Sequence, residues 1–192
     1  MLNSAPYSIA WGNEIYAKVL AINAYGESTY SLEGNGGIIV TNPDAPINIV
    51  EDISERTLNA VAFSWQQGVS NGGTPVIDFR IYYDQGTGNY ILIKTAYANL
   101  HFVIETLTPG VVYGFKVQSR NAHGLSVLSD EFSILCAFVP DSPSAPTTTA
   151  HDDDFTVSWL EPYNSGSPVT GYKVYLRASS GSYLLEEIYC VD

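Results

Sequence analysis

The sequence repeats itself, and this self-similarity constrains the fold more than any other feature. The segment Phe63-Ser-Trp65 recurs as Val157-Ser-Trp159, so the two tryptophans lie 94 positions apart. Each copy continues into a polar, glycine-rich turn and then an aromatic segment of period two, Phe79 to Tyr83 and Tyr172 to Leu176. A period of two is typical of strands with one buried face. The pattern therefore predicts duplicated β-sheet units.

A second internal match has a different phase. Asn121-Ala-His-Gly124 corresponds to Asn23-Ala-Tyr-Gly26, which lies 98 positions earlier. The tryptophan signature occupies the middle and the C-terminal part of the chain, whereas the asparagine signature occupies the N-terminal part and the middle. Only the middle of the chain carries both signatures.

Proline-rich segments mark the boundaries between these parts. They lie at 42–46 and 140–146, and proline fixes φ and removes a backbone donor, as suits a short, semi-stiff linker. We therefore predict that 1–42 is the C-terminal half of one repeat, 43–140 a complete repeat, and 141–192 the N-terminal half of a further repeat.

Composition agrees with an all-β chain and excludes some functions. Charged residues make up 15% of the chain, and 16 glycines and 10 prolines interrupt it frequently, as short strands with tight turns require. The net charge of −12 argues against binding to nucleic acid or an anionic membrane, which needs clustered Lys and Arg. No apolar run approaches the roughly 18 residues of a membrane span.

The middle of the chain resembles a fibronectin type III repeat. The segment Leu107-Thr-Pro109-Gly110-Val-Val-Tyr113 is similar to the tyrosine corner of that family, and Trp65 stands where the family has its strand B tryptophan. The resemblance covers essentially the whole chain in three pieces, although Ile15 replaces the corner tyrosine in the first piece. Similar Trp-Gly-containing repeats occur in large surface proteins of protists.

The resemblance implies an immunoglobulin-like sandwich of seven strands in two sheets, without the disulfide of antibody domains. It implies that both tryptophans lie between the sheets and that the phenol at the corner caps the backbone. The core positions that it implies are Trp65, Trp159, Leu107, Pro109, Tyr113 and Val117.

Two loops are candidate contacts for partner proteins, because loops on a fixed scaffold commonly carry binding residues. One is the turn between implied strands F and G, with Asn121, His123 and Gly124, and the other follows strand B, with Asn71 and Gly72. The alternative for His123 is a plain surface imidazole.

No catalytic constellation or cofactor motif is visible in the sequence. His101, His123 and His151 lack a Cys or His partner at zinc-ligand spacing, so we predict no metal site. The run Asp152–Asp154 is predicted to be a solvated turn in preference to a calcium site, and Gly34–Gly37 a strand bend in preference to a phosphate loop. The chain is predicted not to be an enzyme and to need no cofactor.

The two cysteines, Cys136 and Cys190, fall in different predicted repeats. The family topology would bring both cysteines near the linker between the second and third repeats, so an interdomain disulfide is conceivable. The alternatives are two unpaired thiols, which behave as small hydrophobes when buried, or pairing with groups outside this segment.

These observations favour a structural and adhesive array of repeats that acts as a spacer and protein-interaction scaffold at the cell surface or in the extracellular space. Its partners would be other proteins or further repeats. One alternative is an ancillary spacer or carbohydrate-binding module of a larger enzyme, with Tyr97, Tyr163 or Tyr183 as a sugar platform. Another is an intracellular filament-associated array.

Overall fold

A computed structural model describes residues 2–152 and 154–186, and this part of the chain consists of short strands joined by turns and loops, with almost no helix. It contains no helix long and apolar enough to cross a membrane. The chain divides into two compact units, Met1–Ala137 and Phe138–Asp192. The strands are β1 (Glu14–Ala17), β2 (Ile22–Asn23), β3 (Gly26–Glu27), β4 (Gly34–Ile38), β5 (Ile47–Glu51), β6 (Val61–Gln66), β7 (Asp78–Tyr83), β8 (Ile91–Tyr97), β9 (His101–Ile104), β10 (Val112–Arg120), β11 (Phe132–Leu135), β12 (Thr147–Ala150), β13 (Phe155–Ser158), β14 (Tyr175–Arg177) and β15 (Tyr183–Leu185), with one 3₁₀ turn at Ile53–Glu55.

Strands β5 to β11 form a sandwich of two antiparallel sheets. One sheet has the order β5-β6-β9 and the other the order β11-β10-β7-β8. The register of β7 against β10 is continuous from Tyr83 opposite Phe115 to Asp78 opposite Arg120. This arrangement confirms the predicted all-β, immunoglobulin-like fold.

An aromatic cluster fills the space between the two sheets. Phe63 is fully buried, and its ring centroid lies 4.8 Å from that of Phe115 and 5.8 Å from that of Trp65. Trp65 in turn meets Phe79 edge-on at 5.5 Å. Tilted and edge-to-face contacts at such distances stabilise a core beyond the area they bury.

The remaining core positions that the resemblance implies for the sandwich lie in β10 and in the turn before it. The Tyr113 hydroxyl accepts a hydrogen bond from the backbone N–H of Thr108 at 3.0 Å, which ties the turn before β10 to the strand itself. Tyr113, Leu107 and Val117 are buried, and Pro109 is half-buried. The predicted period of two in β7 appears as buried Phe79 and Ile81.

The segment before the sandwich repeats a hydrogen-bonding device found within it. In the sandwich, the hydroxyl groups of Ser126 and Ser129 accept hydrogen bonds from Ser119 N and Val117 N of β10. In the first segment, the hydroxyl groups of Ser28 and Ser31 accept hydrogen bonds from Ala21 N and Val19 N. Each pair of partners is offset by 98 positions, so the internal repeat extends to individual hydrogen bonds.

The second unit holds two hairpins, β12–β13 and β14–β15. Trp159 is half-buried, and its ring meets that of Tyr172 edge-on at 5.2 Å. Tyr172, Tyr175 and Phe155 are each about half exposed. The described part of this unit therefore has two small sheets and does not enclose its tryptophan as the sandwich encloses Trp65.

Candidate functional site

Two loops of the sandwich close around the chain that enters it. We call this region the joint; it comprises Thr41–Asp44, the β6–β7 loop residues Ser70–Gly73, and Asn121–Gly124 after β10. Thr41 N donates to Gly72 O and Asp44 N to Ser70 O, both at 2.8 Å. Ser70 N donates to the Asp44 carboxylate at 2.9 Å. The entering chain is thus held by backbone hydrogen bonds in spite of its prolines.

Asn121 is the centre of the joint. Its side-chain amide donates to Thr41 O and to Asn71 O, both at 2.8 Å, and its carbonyl oxygen accepts from His123 N and Gly124 N at 2.9 and 3.0 Å. The residue is only 2% exposed, and these four bonds use the full capacity of a primary amide. Asn121 therefore connects both loops to the entering chain.

Glycines allow the backbones at the joint to approach closely. Gly72 has φ +73°, and a Cβ there would lie 2.3 Å from Thr41 O. A Cβ on Gly73 would lie 2.3 Å from the nitrogen of Gly12 in the preceding segment. A side chain on Gly72 would displace the entering chain, and one on Gly73 would displace the segment around Gly12, in addition to the strain of a positive φ at each position.

All five predicted loop residues lie at this joint. Besides Asn71, Gly72 and Asn121, His123 Nδ1 is 2.8 Å from Asn42 Oδ1, and Gly124 packs closely against the same amide. Their first role is to hold the chain before the sandwich, and contact with a separate partner stays a prediction. Sequence reasoning missed the complementary residues Thr41 and Asn42, although they adjoin the proline-rich boundary.

The second unit begins with the same pair of backbone bonds. Phe138 N donates to Ser165 O at 2.9 Å and Asp141 N to Tyr163 O at 3.0 Å. These partners are the sequence equivalents of those that hold Thr41 and Asp44. The pair of backbone hydrogen bonds that holds the entering chain is therefore repeated in the second unit.

The thiol of Cys136 is buried in the sandwich. Its Sγ lies 3.4 Å from Leu58 O as a weak donor, and burial raises the pKa of the thiol. A raised pKa disfavours the reactive thiolate. Cys190 lies outside the described residues, so the interdomain disulfide stays a prediction.

The three tyrosines considered for a sugar platform differ in exposure. Tyr97 is half-buried: its ring meets that of Phe102 edge-on at 5.5 Å, and its hydroxyl donates to His101 O at 2.7 Å. Tyr163 and Tyr183, in the second unit, are 53% and 66% exposed. Tyr97 therefore presents less of its ring to a ligand than the other two.

The two sequence features considered for ion binding lie in a strand and in a turn. Gly34–Gly37 belongs to β4, which pairs with β1. In the β12–β13 turn, His151 N donates to Asp154 O at 2.7 Å, and Asp153 lies outside the described residues. By contrast, the donor atoms of Asp52, Glu55 and His101 lie within 4.8 Å of one another, a juxtaposition that their sequence separation conceals.

The sandwich and its tyrosine corner define an immunoglobulin-like domain. Residues 45–134 match the family model of the fibronectin type III domain, and this segment is a fibronectin type III domain.

Several known proteins are similar to this chain. The chain is 25% identical to protein sidekick-1 of Homo sapiens over 169 residues, covering 84% of this chain and 8% of that protein. It is 29% identical to fibronectin type-III domain-containing protein 3A of Homo sapiens over 121 residues, covering 60% and 10%. The twitchin kinase region of C. elegans aligns with a TM-score of 0.43 and 26% identity over 50% of this chain and 17% of that one. The chain spans about a tenth of the length of the curated relatives it matches.

Proposed function

We propose that this chain is a non-catalytic array of fibronectin type III repeats that serves as a spacer and protein-interaction scaffold in a large surface or extracellular assembly. The observation that carries the proposal is the joint, because it ties the chain before the sandwich to two loops through several hydrogen bonds. A linker held in this way restricts the angle between successive repeats, whereas a free linker would act as a swivel.

The relatives and the charge support the same role. Sidekick-1 and the type-III domain-containing protein 3A both match across stretches of 121 residues or more, longer than one domain. A net charge of −12 favours solubility and long-range repulsion between copies. Ala122 and His123 are exposed at the surface of the joint, and a partner protein would contact the array there.

Replacing Asn121 with alanine tests the joint. The change removes two donors to Thr41 O and Asn71 O, and the loss of such buried bonds costs about 1–3 kcal/mol. We expect hydrogen exchange at the amides of Thr41 and Asp44 to accelerate by at least about tenfold, as measured by NMR on the full chain. Gly72→Ala should have the same effect through its clash with Thr41 O.

Asn89→Ala is the matched control, because Asn89 is exposed in the β7–β8 turn. It should leave both amides protected. If the amides of Thr41 and Asp44 exchange in the unmodified chain at the rate of an unstructured peptide, no fixed joint exists and the spacer proposal fails.

Two further measurements separate the alternatives. Binding on a glycan array that disappears in Tyr183→Ala would favour the carbohydrate-binding module of a larger enzyme. Localisation of the tagged protein to intracellular filaments would favour the filament-associated array. Localisation at the cell surface would support the proposal.

A further inference from the structure

Two carboxylates and one imidazole converge beside strand β6. Asp52 N donates to Ala62 O of β6 at 2.9 Å, and the next three residues form the 3₁₀ turn that ends at Glu55. Residues three apart eclipse one another in a 3₁₀ turn, which places Asp52 and Glu55 on one side. His101 begins β9 and pairs with Ser64 of β6. Both parts of the cluster are therefore attached to β6 through the backbone.

The distances within this cluster are too long for direct hydrogen bonds. His101 Nε2 lies 3.7 Å from Asp52 Oδ2 and 3.8 Å from Glu55 Oε2, whereas hydrogen bonds to nitrogen span about 2.7–3.2 Å. Nε2 is also shielded from solvent and has no hydrogen-bond partner among the described residues. A shielded, unsatisfied nitrogen that faces two carboxylates calls for a further group between them.

The spacing suits a metal ion. Bonds of about 2.0–2.2 Å from Zn²⁺ to nitrogen and oxygen place tetrahedral ligands about 3.4 Å apart, a few tenths of an ångström less than the two distances found here. Imidazole with carboxylate donors favours zinc and its neighbours in the first transition row over calcium or magnesium. Arg56, next to the cluster, is paired with Glu51. Oδ1 of Asp52 accepts hydrogen bonds from Ser54 N and Ser54 Oγ, so Oδ2, the oxygen nearer to His101, is the one that would bind a cation.

We propose that Asp52, Glu55 and His101 form a binding site for a divalent transition-metal cation such as Zn²⁺. The three side chains are 36–49% exposed, so a fourth coordination position faces solvent and accepts water or a donor group from a partner protein. A bound ion would link the β5–β6 connection to β9. The site does not depend on the joint or on the proposed scaffold role.

The test is titration of the full, tag-free chain with Zn²⁺, followed by calorimetry and by NMR of the histidine rings. We expect saturable one-to-one binding that shifts the ring signals of His101 and leaves those of His123 and His151 in place. His101→Ala should weaken binding by at least about tenfold, since even the loss of an outer-shell partner costs 10–100-fold. Asp52→Asn should weaken it in the same direction.

His123→Ala and His151→Ala are matched controls, because each removes an imidazole outside the cluster. Both should bind Zn²⁺ as the unmodified chain does. The NMR measurement needs no variant and therefore stays decisive even if His101→Ala unfolds. The proposal is overturned by the absence of saturable binding, by His101 signals that do not respond to Zn²⁺, or by undiminished binding in a folded His101→Ala chain.

Discussion

Replacing Phe63 with alanine is expected to lower the free energy of unfolding of the sandwich by about 4 kcal/mol, within the range of about 3–5 kcal/mol for Phe→Ala in cores. Phe63 has no exposed surface and lies at the centre of the aromatic cluster. Its ring contacts four other rings on strands of the two sheets, those of Trp65, Phe102, Phe115 and Phe132. No single neighbour can move to fill the space that alanine would leave.

Hydrogen exchange at the β6 and β10 amides measures this change, because the slowest amides of a sandwich exchange through global opening. Phe155→Ala provides the matched control: it is the same substitution at a half-exposed phenylalanine in the other unit. That control should leave the β6 and β10 amides unchanged. A loss below about 1 kcal/mol in Phe63→Ala would mean that the cluster does not carry the stability assigned to it.

Replacing Asp84 with alanine is expected to cost about 3 kcal/mol. Its buried carboxylate accepts hydrogen bonds from Gly114 N and Gly86 N at 2.8 Å and from Gly88 N at 3.1 Å. It therefore fastens the β7–β8 turn to β10. Removal leaves the Gly114 N–H buried without that partner, and hydrogen bonds to a charged group are worth about 1.5–3 kcal/mol each.

The same carboxylate makes stability depend on pH. Burial alone would raise the pKa of Asp84, but the backbone N–H groups that bind its charged form outweigh burial and lower the pKa. The hydrogen bonds from Arg120 likewise lower the pKa of Asp78. The folded state therefore holds fewer protons than the unfolded chain, so this stability is complete above the unfolded pKa of about 3.9 and is lost as pH falls through the folded values.

Urea unfolding between neutral pH and pH 2.5 measures this dependence. The unmodified chain should lose stability below about pH 4, and Asp84→Ala should lose less over the same interval because one of the responsible groups is absent. Asp130→Ala, at an exposed aspartate, should keep the original slope. Equal slopes for Asp84→Ala and the unmodified chain would contradict the role of Asp84.

Several features of the sandwich could be predicted from local patterns. The alternation in Phe79 to Tyr83 predicted a strand with one buried face, and the sandwich buries Phe79 and Ile81. A side-chain period of two can be recognised from consecutive residues alone, without knowledge of the tertiary structure. The proline-rich segments predict where one repeat ends and the next begins, and that division stays a prediction.

The zinc hypothesis illustrates what local patterns conceal. Asp52 and Glu55 are distant in sequence from His101, and no spacing rule connects them, because their approach depends on β5 and β9 both pairing with β6. Asp84 is another example. Its partner Gly114 N belongs to a strand 30 residues away, so the sequence shows only an aspartate in a turn.

The sequence by itself determined the repeat and the all-β class, because both follow from periodicity and self-similarity along the chain, whereas the buried position of Trp65 was implied by the resemblance to fibronectin type III repeats. The tertiary structure alone decided what the loops do. Asn121 looked like a residue free to contact a partner, yet its amide is fully used by Thr41, Asn71 and its own turn. Hydrogen-bond partners across 50 to 80 residues are chosen by how sheets and loops pack, and no local pattern records that choice.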